Sequence, residues 1–217
     1  MWDLAEQRVR FYIVENKAID HHKKFLERIE FYKKFGLDQM QEREFILNKS
    51  LPIEGTILEI GTGKGHFALA LAQSGYRFTT VDIDKEEQEI TRLNFRHFNL
   101  DHLVNFKIDD ARHLSFPDKS FDVIFCINVY HHLKTPVQIL SEMLRVLKPK
   151  GKIVLSDFSK AGMDIIKKCH ETEGRTHDHF INNLETARQF FSDREFRIQQ
   201  ENSVVQELII ARRGQAL

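Results

Sequence analysis

The nine residues ILEIGTGKG, positions 57–65, run from a short apolar segment directly into three closely spaced glycines. This pattern is typical of a buried β-strand that turns into a helix. Glycines suit such a turn because they adopt unusual φ angles and let a ligand approach the backbone closely. In open α/β folds, small ligands bind at this carboxyl edge of the sheet. We therefore predict a ligand site at Gly61, Thr62, Gly63 and Gly65, although a merely tight strand-to-helix connection would look the same.

Downstream of this turn, short apolar runs alternate with stretches of helical spacing, as expected for strands joined by crossover helices. Predicted strands cover residues 56–60, 78–82, 104–108, 121–127 and 152–157, and predicted helices cover residues 67–73, 85–98 and 137–147. Two further strand-like runs, 196–200 and 204–211, indicate an antiparallel hairpin. The fold class is α/β, a doubly wound Rossmann-like seven-stranded, mostly parallel sheet with a C-terminal antiparallel hairpin.

The first 50 or so residues differ, because Phe25, Ile29 and Tyr32 follow an i, i+4, i+7 spacing on a charged helix that ends at Gly36. A second helix is predicted at residues 40–48. We divide the chain into a helical N-terminal cap, 1–51, and a main domain, 52–217. Within the main domain, residues 158–194 form an insertion on the side of the pocket where a second substrate, the acceptor, would bind.

Composition is that of an ordinary globular protein. The chain has 217 residues, 41% of them hydrophobic, and its 32 Lys and Arg balance its 32 Asp and Glu. This neutrality argues against a nucleic-acid partner. No basic-then-apolar leader opens the sequence, and no run of roughly 18 apolar residues predicts a membrane span. We expect a cytoplasmic protein, a monomer or a homodimer, without disulfides.

Acidic residues accompany the glycine turn. The G-x-G-x-G spacing fits pyrophosphate binding poorly, because the third glycine of a dinucleotide fingerprint would fall at His66. Asp82 ends the second predicted strand, where a carboxylate can accept hydrogen bonds from both ribose hydroxyls. Its alternative role, a helix N-cap, belongs more naturally to Asp84. After the third strand, Asp110 and Ala111 offer a carboxylate and a backbone N–H to an adenine edge, although Asp110 also fits a solvated turn.

These stretches, together with residues 146–152 (VLKPKGK), resemble the class I S-adenosylmethionine-dependent methyltransferases, in particular the methyltransferase type 11 group. The resemblance covers roughly residues 56–157 and implies S-adenosylmethionine as cofactor, with S-adenosylhomocysteine as product. It implies Glu59, Gly61 and Gly63 near the methionine part, Asp82 on the ribose, Ile83 against the adenine, Asp110 and Ala111 on the adenine edge, and Asn128 close to the reactive methyl. Lys64 departs from the pattern and is expected to point to solvent.

Methyl transfer needs alignment and exclusion of water more than a dedicated catalytic side chain. A hydroxyl or protonated amine acceptor would need a base, and histidine is suited to that role near neutral pH. His131 and His132 follow the fourth strand, and we predict one of them as base or acceptor contact. The alternative is that both histidines only shape the loop and cap the next helix. Tyr130 is either an acceptor contact or a packing residue.

A second group of candidates lies in residues 169–179 (CHETEGRTHDH), within a segment that has no clear secondary-structure assignment. We predict that His170, Arg175, His177 and His179 contact the acceptor. The same residues could instead form a solvated loop, and the cluster of one cysteine and three histidines could bind zinc. The spacing matches no standard zinc module, so we predict no metal.

The leading hypothesis is a methyltransferase acting on a small-molecule acceptor. Two classes of acceptor fit the sequence: a quinone-like ring carbon, and an amine, thiol or oxyanion metabolite. The alternative is a non-catalytic protein that binds S-adenosylmethionine or S-adenosylhomocysteine as a regulator or assembly subunit. Methylation of RNA or protein is disfavoured, because the sequence lacks an Asn/Asp-Pro-Pro-Tyr-type motif and net positive charge.

Overall fold

The computed structural model describes the backbone of residues 4–174 and 183–213 and the side chains of residues 16–174 and 183–213. Within these ranges the helices are α1 Leu4–Lys34, α2 Gln39–Lys49, α3 His66–Gln73, α4 Lys85–His97, α5 Pro136–Val146, α6 Lys160–Thr172 and α7 Leu184–Ser192. The strands are β1 Ile57–Ile60, β2 Phe78–Asp82, β3 Val104–Ile108, β4 Phe121–Ile127, β5 Leu147–Phe158, β6 Phe196–Asn202 and β7 Gln206–Arg213. Short 3-10 turns lie at Asp101–Leu103 and Tyr130–His132.

All seven strands form one sheet in the order β3-β2-β1-β4-β5-β7-β6. The first five are parallel, and β7 is antiparallel to both β5 and β6. The predicted fold class is therefore confirmed. The strand order reverses direction between β1 and β4, which is the topological switch point where α/β sheets leave a crevice at their carboxyl ends.

Two boundaries differ from the sequence-based prediction. The helix predicted to stop before Pro149 and Gly151 does end, at Val146, but the chain enters β5 at once. The pairing of β4 with β5 shifts register between Phe121 and Val123, and this irregularity accommodates a proline without a ladder N–H. The segment left unassigned contains α6, whose N-cap Ser159 accepts a hydrogen bond from the N–H of Gly162.

Helices cover both faces of the sheet. On one face, α5 and α7 pack their apolar side chains against β1, β4 and β5. On the other face, Phe25 and Ile29 of α1 and Ile46 of α2 are buried in one cluster with α3, α4 and the strands. The predicted apolar stripe of the N-terminal helix is thus confirmed as core. The division into domains stays a prediction.

At the amino-terminal edge of the sheet, Lys152 of β5 is buried and donates hydrogen bonds to the carbonyl oxygens of Ser50 and Pro52. Burial lowers the pKa of Lys152 to about 8. The two carbonyl acceptors stabilise the buried ammonium, so this lysine fastens the connection between α2 and β1 to the sheet.

Among the residues with a described structure, no helix is both long and apolar enough to cross a membrane.

Helix α4 offers a direct test of local structure. Asp84 caps it by accepting hydrogen bonds from the N–H groups of Glu86 and Glu87, at 2.9 and 3.0 Å. Replacing Asp84 with alanine should cost about 1 kcal/mol and lower the melting temperature by roughly 2–4 °C, measured by circular dichroism. Asp101→Ala, which removes an exposed aspartate without such a bond, is the control; equal losses in both variants would contradict the capping role.

Candidate functional site

A cavity of about 500 Å³ opens at the switch point between β1 and β4. The glycine turn after β1 and the loop after β4 form one wall, and side chains of α1, α2 and α6 form the other. Six of the residues predicted for the cofactor line this cavity: Glu59, Gly61, Thr62, Gly63, Asp82 and Asn128. His131, His132 and His170, predicted for the acceptor, line it as well.

The glycine turn is held rigidly against β2. The N–H groups of Gly61 and Thr62 both donate to the carbonyl oxygen of Val81, at 2.8 and 3.2 Å. Gly61 has φ +85°, and a Cβ there would clash with Val129. Gly63 has φ +47° and open space where a side chain would be. A bound molecule can therefore lie directly against the backbone at Gly63.

Asp82 closes the same turn from the end of β2. One carboxylate oxygen accepts the N–H of Gly63 at 2.7 Å and the other accepts the N–H of Asp84 at 2.9 Å. A carboxylate oxygen can accept two hydrogen bonds, so each still has capacity for a hydroxyl in the cavity. This geometry fits a vicinal diol such as a ribose.

Glu59 lies below the turn and is only 2% exposed. Its carboxyl accepts a hydrogen bond from the Thr80 hydroxyl at 2.6 Å, and the Thr80 and Thr62 hydroxyls are themselves 2.6 Å apart. Burial, with a smaller contribution from the Asp82 charge, raises the pKa of Glu59 to about 8. The side chain is therefore mostly protonated at neutral pH and can donate a hydrogen bond into the site.

Asn128 leaves β4 with φ 56°, in the left-handed region that asparagine tolerates better than most residues. Its N–H donates to the carbonyl oxygen of Ser156 at 2.8 Å. The side-chain oxygen is buried and has no hydrogen-bond partner in the described part of the chain. Since buried acceptors are normally satisfied, this oxygen fits a hydrogen-bond donor on a bound molecule. Together with the open face at Gly63, it shows that the cavity suits a polar cofactor such as S-adenosylmethionine.

His131 is 3% exposed and is positioned by a residue that the sequence analysis missed. Its backbone N–H donates to one carboxylate oxygen of Asp157 at 2.8 Å, and its ring Nδ1 lies 2.6 Å from the other. A carboxylate at that distance requires the proton on Nδ1, which leaves the Nε2 lone pair as the basic site of the neutral ring. His132 packs beside it, with ring centroids 3.9 Å apart.

The N-terminal helices supply cavity residues for which the sequence pattern gave no functional signal. Tyr32, which the helical spacing placed on the apolar stripe of the N-terminal helix, is buried. Its hydroxyl receives a hydrogen bond from Arg28 at 2.6 Å and lies 3.4 Å from Nε2 of His170. Arg28 also pairs with Glu173 at 2.9 Å. These contacts join α1 to α6 across the cavity. Arg43 of α2 and His66 of α3 complete this wall.

Other predicted residues lie elsewhere. Gly65 is the N-cap residue of α3, Ile83 is 66% exposed, and neither lines the cavity. Asp110 and Ala111 also lie outside the lining. The Asp110 carboxylate pairs with Arg112 at 2.6 Å, and hydrogen bonds from this arginine lower the pKa of Asp110. The adenine contacts assigned to these residues stay predictions.

Tyr130 is fully buried among apolar side chains of the core and does not line the cavity, and its contact with the acceptor stays a prediction. Lys64 was expected to point to solvent but lines the cavity. Arg175, His177 and His179 lie outside the described residues. Among the residues that are described, no group of three or more His, Cys, Asp or Glu side chains is placed to hold a metal ion.

The protonated state of Glu59 predicts a pH-dependent stability. The folded pKa of about 8 lies above the ordinary value of 4.5, so folding becomes less favourable as pH rises from about 4.5 to 8. Glu59→Gln removes this loss, and the melting temperature of the variant relative to wild type should rise by roughly 7–14 °C between pH 5 and pH 8. The exposed Glu44→Gln should show no such trend; a pH-independent difference for Glu59→Gln would contradict the shifted pKa.

Comparison with known proteins shows which family part of this chain is similar to. Residues 58–155 match the family model described as a methyltransferase domain, type 11. Over 114 residues the chain is 33% identical to the 27-O-demethylrifamycin SV methyltransferase of Amycolatopsis mediterranei (strain S699), covering 50% of this chain and 42% of that protein. Over 111 residues it is 34% identical to the 2-methyl-6-phytyl-1,4-hydroquinone methyltransferase of Synechocystis sp. (strain ATCC 27184 / PCC 6803 / Kazusa), covering 51% and 34%.

The chain thus spans less than half the length of these two curated relatives. Among solved structures, the PH0226 protein from Pyrococcus horikoshii OT3 superimposes with a TM-score of 0.68 at 20% identity, covering 88% of this chain and 92% of that one. This likeness extends the shared fold well beyond residues 58–155. Over residues 58–155, less than half of its length, the chain is thus similar to the S-adenosylmethionine-dependent methyltransferases of the methyltransferase type 11 group.

Proposed function

We propose that this protein transfers the methyl group of S-adenosylmethionine to a hydroxyl oxygen of a small-molecule acceptor, with His131 as the base. The main observation behind the proposal is that His131, which lines the cavity, is paired with Asp157. S-adenosylmethionine, when bound, supplies an electrophilic methyl group together with its own leaving group. The protein must then align the acceptor, exclude water and remove one proton.

The cofactor end of the site consists of the glycine turn, Asp82 and Asn128. The open face at Gly63 leaves room for a ligand against the backbone, and the Asp82 carboxylate has capacity for the two hydroxyls of a ribose. Asn128 provides a buried acceptor for a donor such as an ammonium group. The match of residues 58–155 to the methyltransferase family model supports the same assignment.

The proton-accepting end is the His131 ring. Asp157 fixes the ring by a contact at Nδ1 and by a second bond to the backbone, so Nε2 is the nitrogen that accepts a proton. A hydroxyl needs such a base, because it is a weak nucleophile until its proton leaves. The adjacent carboxylate also stabilises the imidazolium that forms. His132 shapes the pocket beside the His131 ring.

The two relatives support a small-molecule acceptor and differ in its type. One is named for methylation at an oxygen of a rifamycin, the other for a phytyl hydroquinone. The His131–Asp157 pair favours the oxygen acceptor. Balanced charge, with 32 basic and 32 acidic residues, supports a small molecule over nucleic acid.

Cofactor binding is tested by calorimetry with S-adenosylhomocysteine. We expect Asp82→Ala to weaken binding by about 10- to 100-fold, since it removes a charged hydrogen-bond acceptor and the bond that orders the N–H of Gly63. Asp84→Ala, two residues further on and outside the cavity lining, should bind normally. Equal affinity of wild type and Asp82→Ala would contradict the assignment of Asp82 to the cofactor site.

Methyl transfer is tested with isotope-labelled S-adenosylmethionine and a panel of phenols, alcohols, hydroquinones, amines and thiols. Once an acceptor is found, His131→Ala and Asp157→Asn should each lower kcat by about 100-fold or more while S-adenosylhomocysteine binding is retained. The exposed His102→Gln is the control.

Two results of this screen would contradict the proposal. Full activity of His131→Ala on a hydroxyl acceptor would show that His131 is not the base. Binding of the cofactor without turnover of any acceptor in the panel would instead support the non-catalytic alternative.

A further inference from the structure

Arg43 is an unusual residue of the cavity wall. Its side chain extends from α2, lines the cavity, and leaves the residue only 7% exposed. One guanidinium nitrogen donates to the side-chain oxygen of Gln39 at 2.9 Å and another contacts the Met40 sulfur at 3.4 Å. Both partners are neutral, and no carboxylate of the described residues forms a salt bridge with it. Buried charges in proteins are normally paired, so this guanidinium lacks a counter-ion.

The acids near Arg43 are engaged elsewhere. The Glu42 carboxylate, also in the cavity lining, accepts the Ser203 hydroxyl at 2.5 Å. Asp38 pairs with Lys33 at 2.9 Å and caps α2. Glu59 is mostly protonated at neutral pH. None of them forms a salt bridge with the guanidinium. Burial lowers the pKa of Arg43 to about 9, the charge of Asp38 opposes this shift, and the guanidinium keeps its proton at neutral pH.

His66 adds a second sign of an anion site. It is the first residue of α3 and lines the cavity, and its buried Nδ1 has no hydrogen-bond partner within the described ranges. Burial first, and then the charges of Arg43, Arg28 and Lys64, hold the pKa of His66 well below its ordinary range. A neutral imidazole therefore lies among three cations, at the positive end of a helix.

We propose that Arg43, His66 and the N-terminus of α3 form a carboxylate-binding subsite in this cavity. The subsite rests on the proposed function, because its ligand is a molecule bound for methyl transfer. A carboxylate matches the planar guanidinium with two parallel hydrogen bonds. A monoanion fits better than a dianionic phosphate, since Glu42 and Asp82 line the same cavity. Two molecules can bring this group: the cofactor, through its amino-acid end, or an acidic acceptor.

The first experiment asks whether the carboxylate comes from the cofactor. Affinities of S-adenosylmethionine and decarboxylated S-adenosylmethionine, which differ only by this group, are measured by calorimetry on wild type and Arg43→Met. If the cofactor occupies the subsite, Arg43→Met weakens S-adenosylmethionine by about 10- to 100-fold and leaves the decarboxylated compound unchanged. Arg43→Lys retains part of the preference, and Arg188→Met, outside the cavity lining, behaves as wild type.

The second experiment asks whether the carboxylate comes from the acceptor. Wild type and Arg43→Met, both saturated with S-adenosylhomocysteine, are titrated with benzoate and octanoate and with the matched amides benzamide and octanamide. If an acidic acceptor occupies the subsite, wild type binds at least one acid about 10-fold or more tightly than its amide, and Arg43→Met loses the difference.

Either preference, present in wild type and lost in Arg43→Met, supports the subsite and identifies its source. The proposal is overturned if Arg43→Met weakens both cofactor forms equally, which indicates a packing role, or if neither preference depends on Arg43. Far-ultraviolet circular dichroism establishes that each variant is folded. Failure of the proposed function gives a different result. Wild type would then bind neither S-adenosylmethionine nor its decarboxylated form, and the proposal of the subsite would be overturned as well.

Discussion

The site depends on the position of β1 between two parallel neighbours. Because β2 lies on one side of β1 and β4 on the other, three segments leave the same edge of the sheet together. Gly61 follows β1, Asp82 ends β2 and Asn128 follows β4. The connections then diverge to opposite faces, so no crossover helix covers the point where they separate. The cavity is a consequence of this strand order, and the flanking helices only complete its walls.

How far the sequence predicts the site depends on whether a residue is placed by its own strand or by tertiary packing. Asp82 and His131 were predictable because each lies at or just after the end of a strand with a clear apolar pattern. Asp157 also ends a predicted strand, but its pairing with His131 requires the register between β4 and β5. Arg43 lies in a charged run, QMQERE, that has the pattern of a solvated helix face. Only the packing of α2 against the sheet shows that this arginine is buried.

Polar burial differs between the two ends of the sheet. At the amino end, buried Lys152 is stabilised by two carbonyl oxygens. At the carboxyl end, Glu59 is mostly neutral, the Asn128 oxygen lacks a described partner, and Arg43 lacks a counter-ion. Unsatisfied or unpaired buried groups each cost stability. The presence of these three groups around one cavity is expected where a ligand provides the missing partners.

The shared core of the N-terminal helices bears on what counts as a unit in this protein. The family match covers residues 58–155, but Phe25, Ile29 and Ile46 lie in the same buried cluster as Val123 and Phe125 of β4. A fragment limited to residues 58–155 would expose that face of the sheet to water. It would also lack β6 and β7, of which β7 pairs with the edge of β5. The segment that matches the family model is therefore smaller than the buried core to which it belongs, and replacing the flanking segments by those of a relative would also replace part of that core.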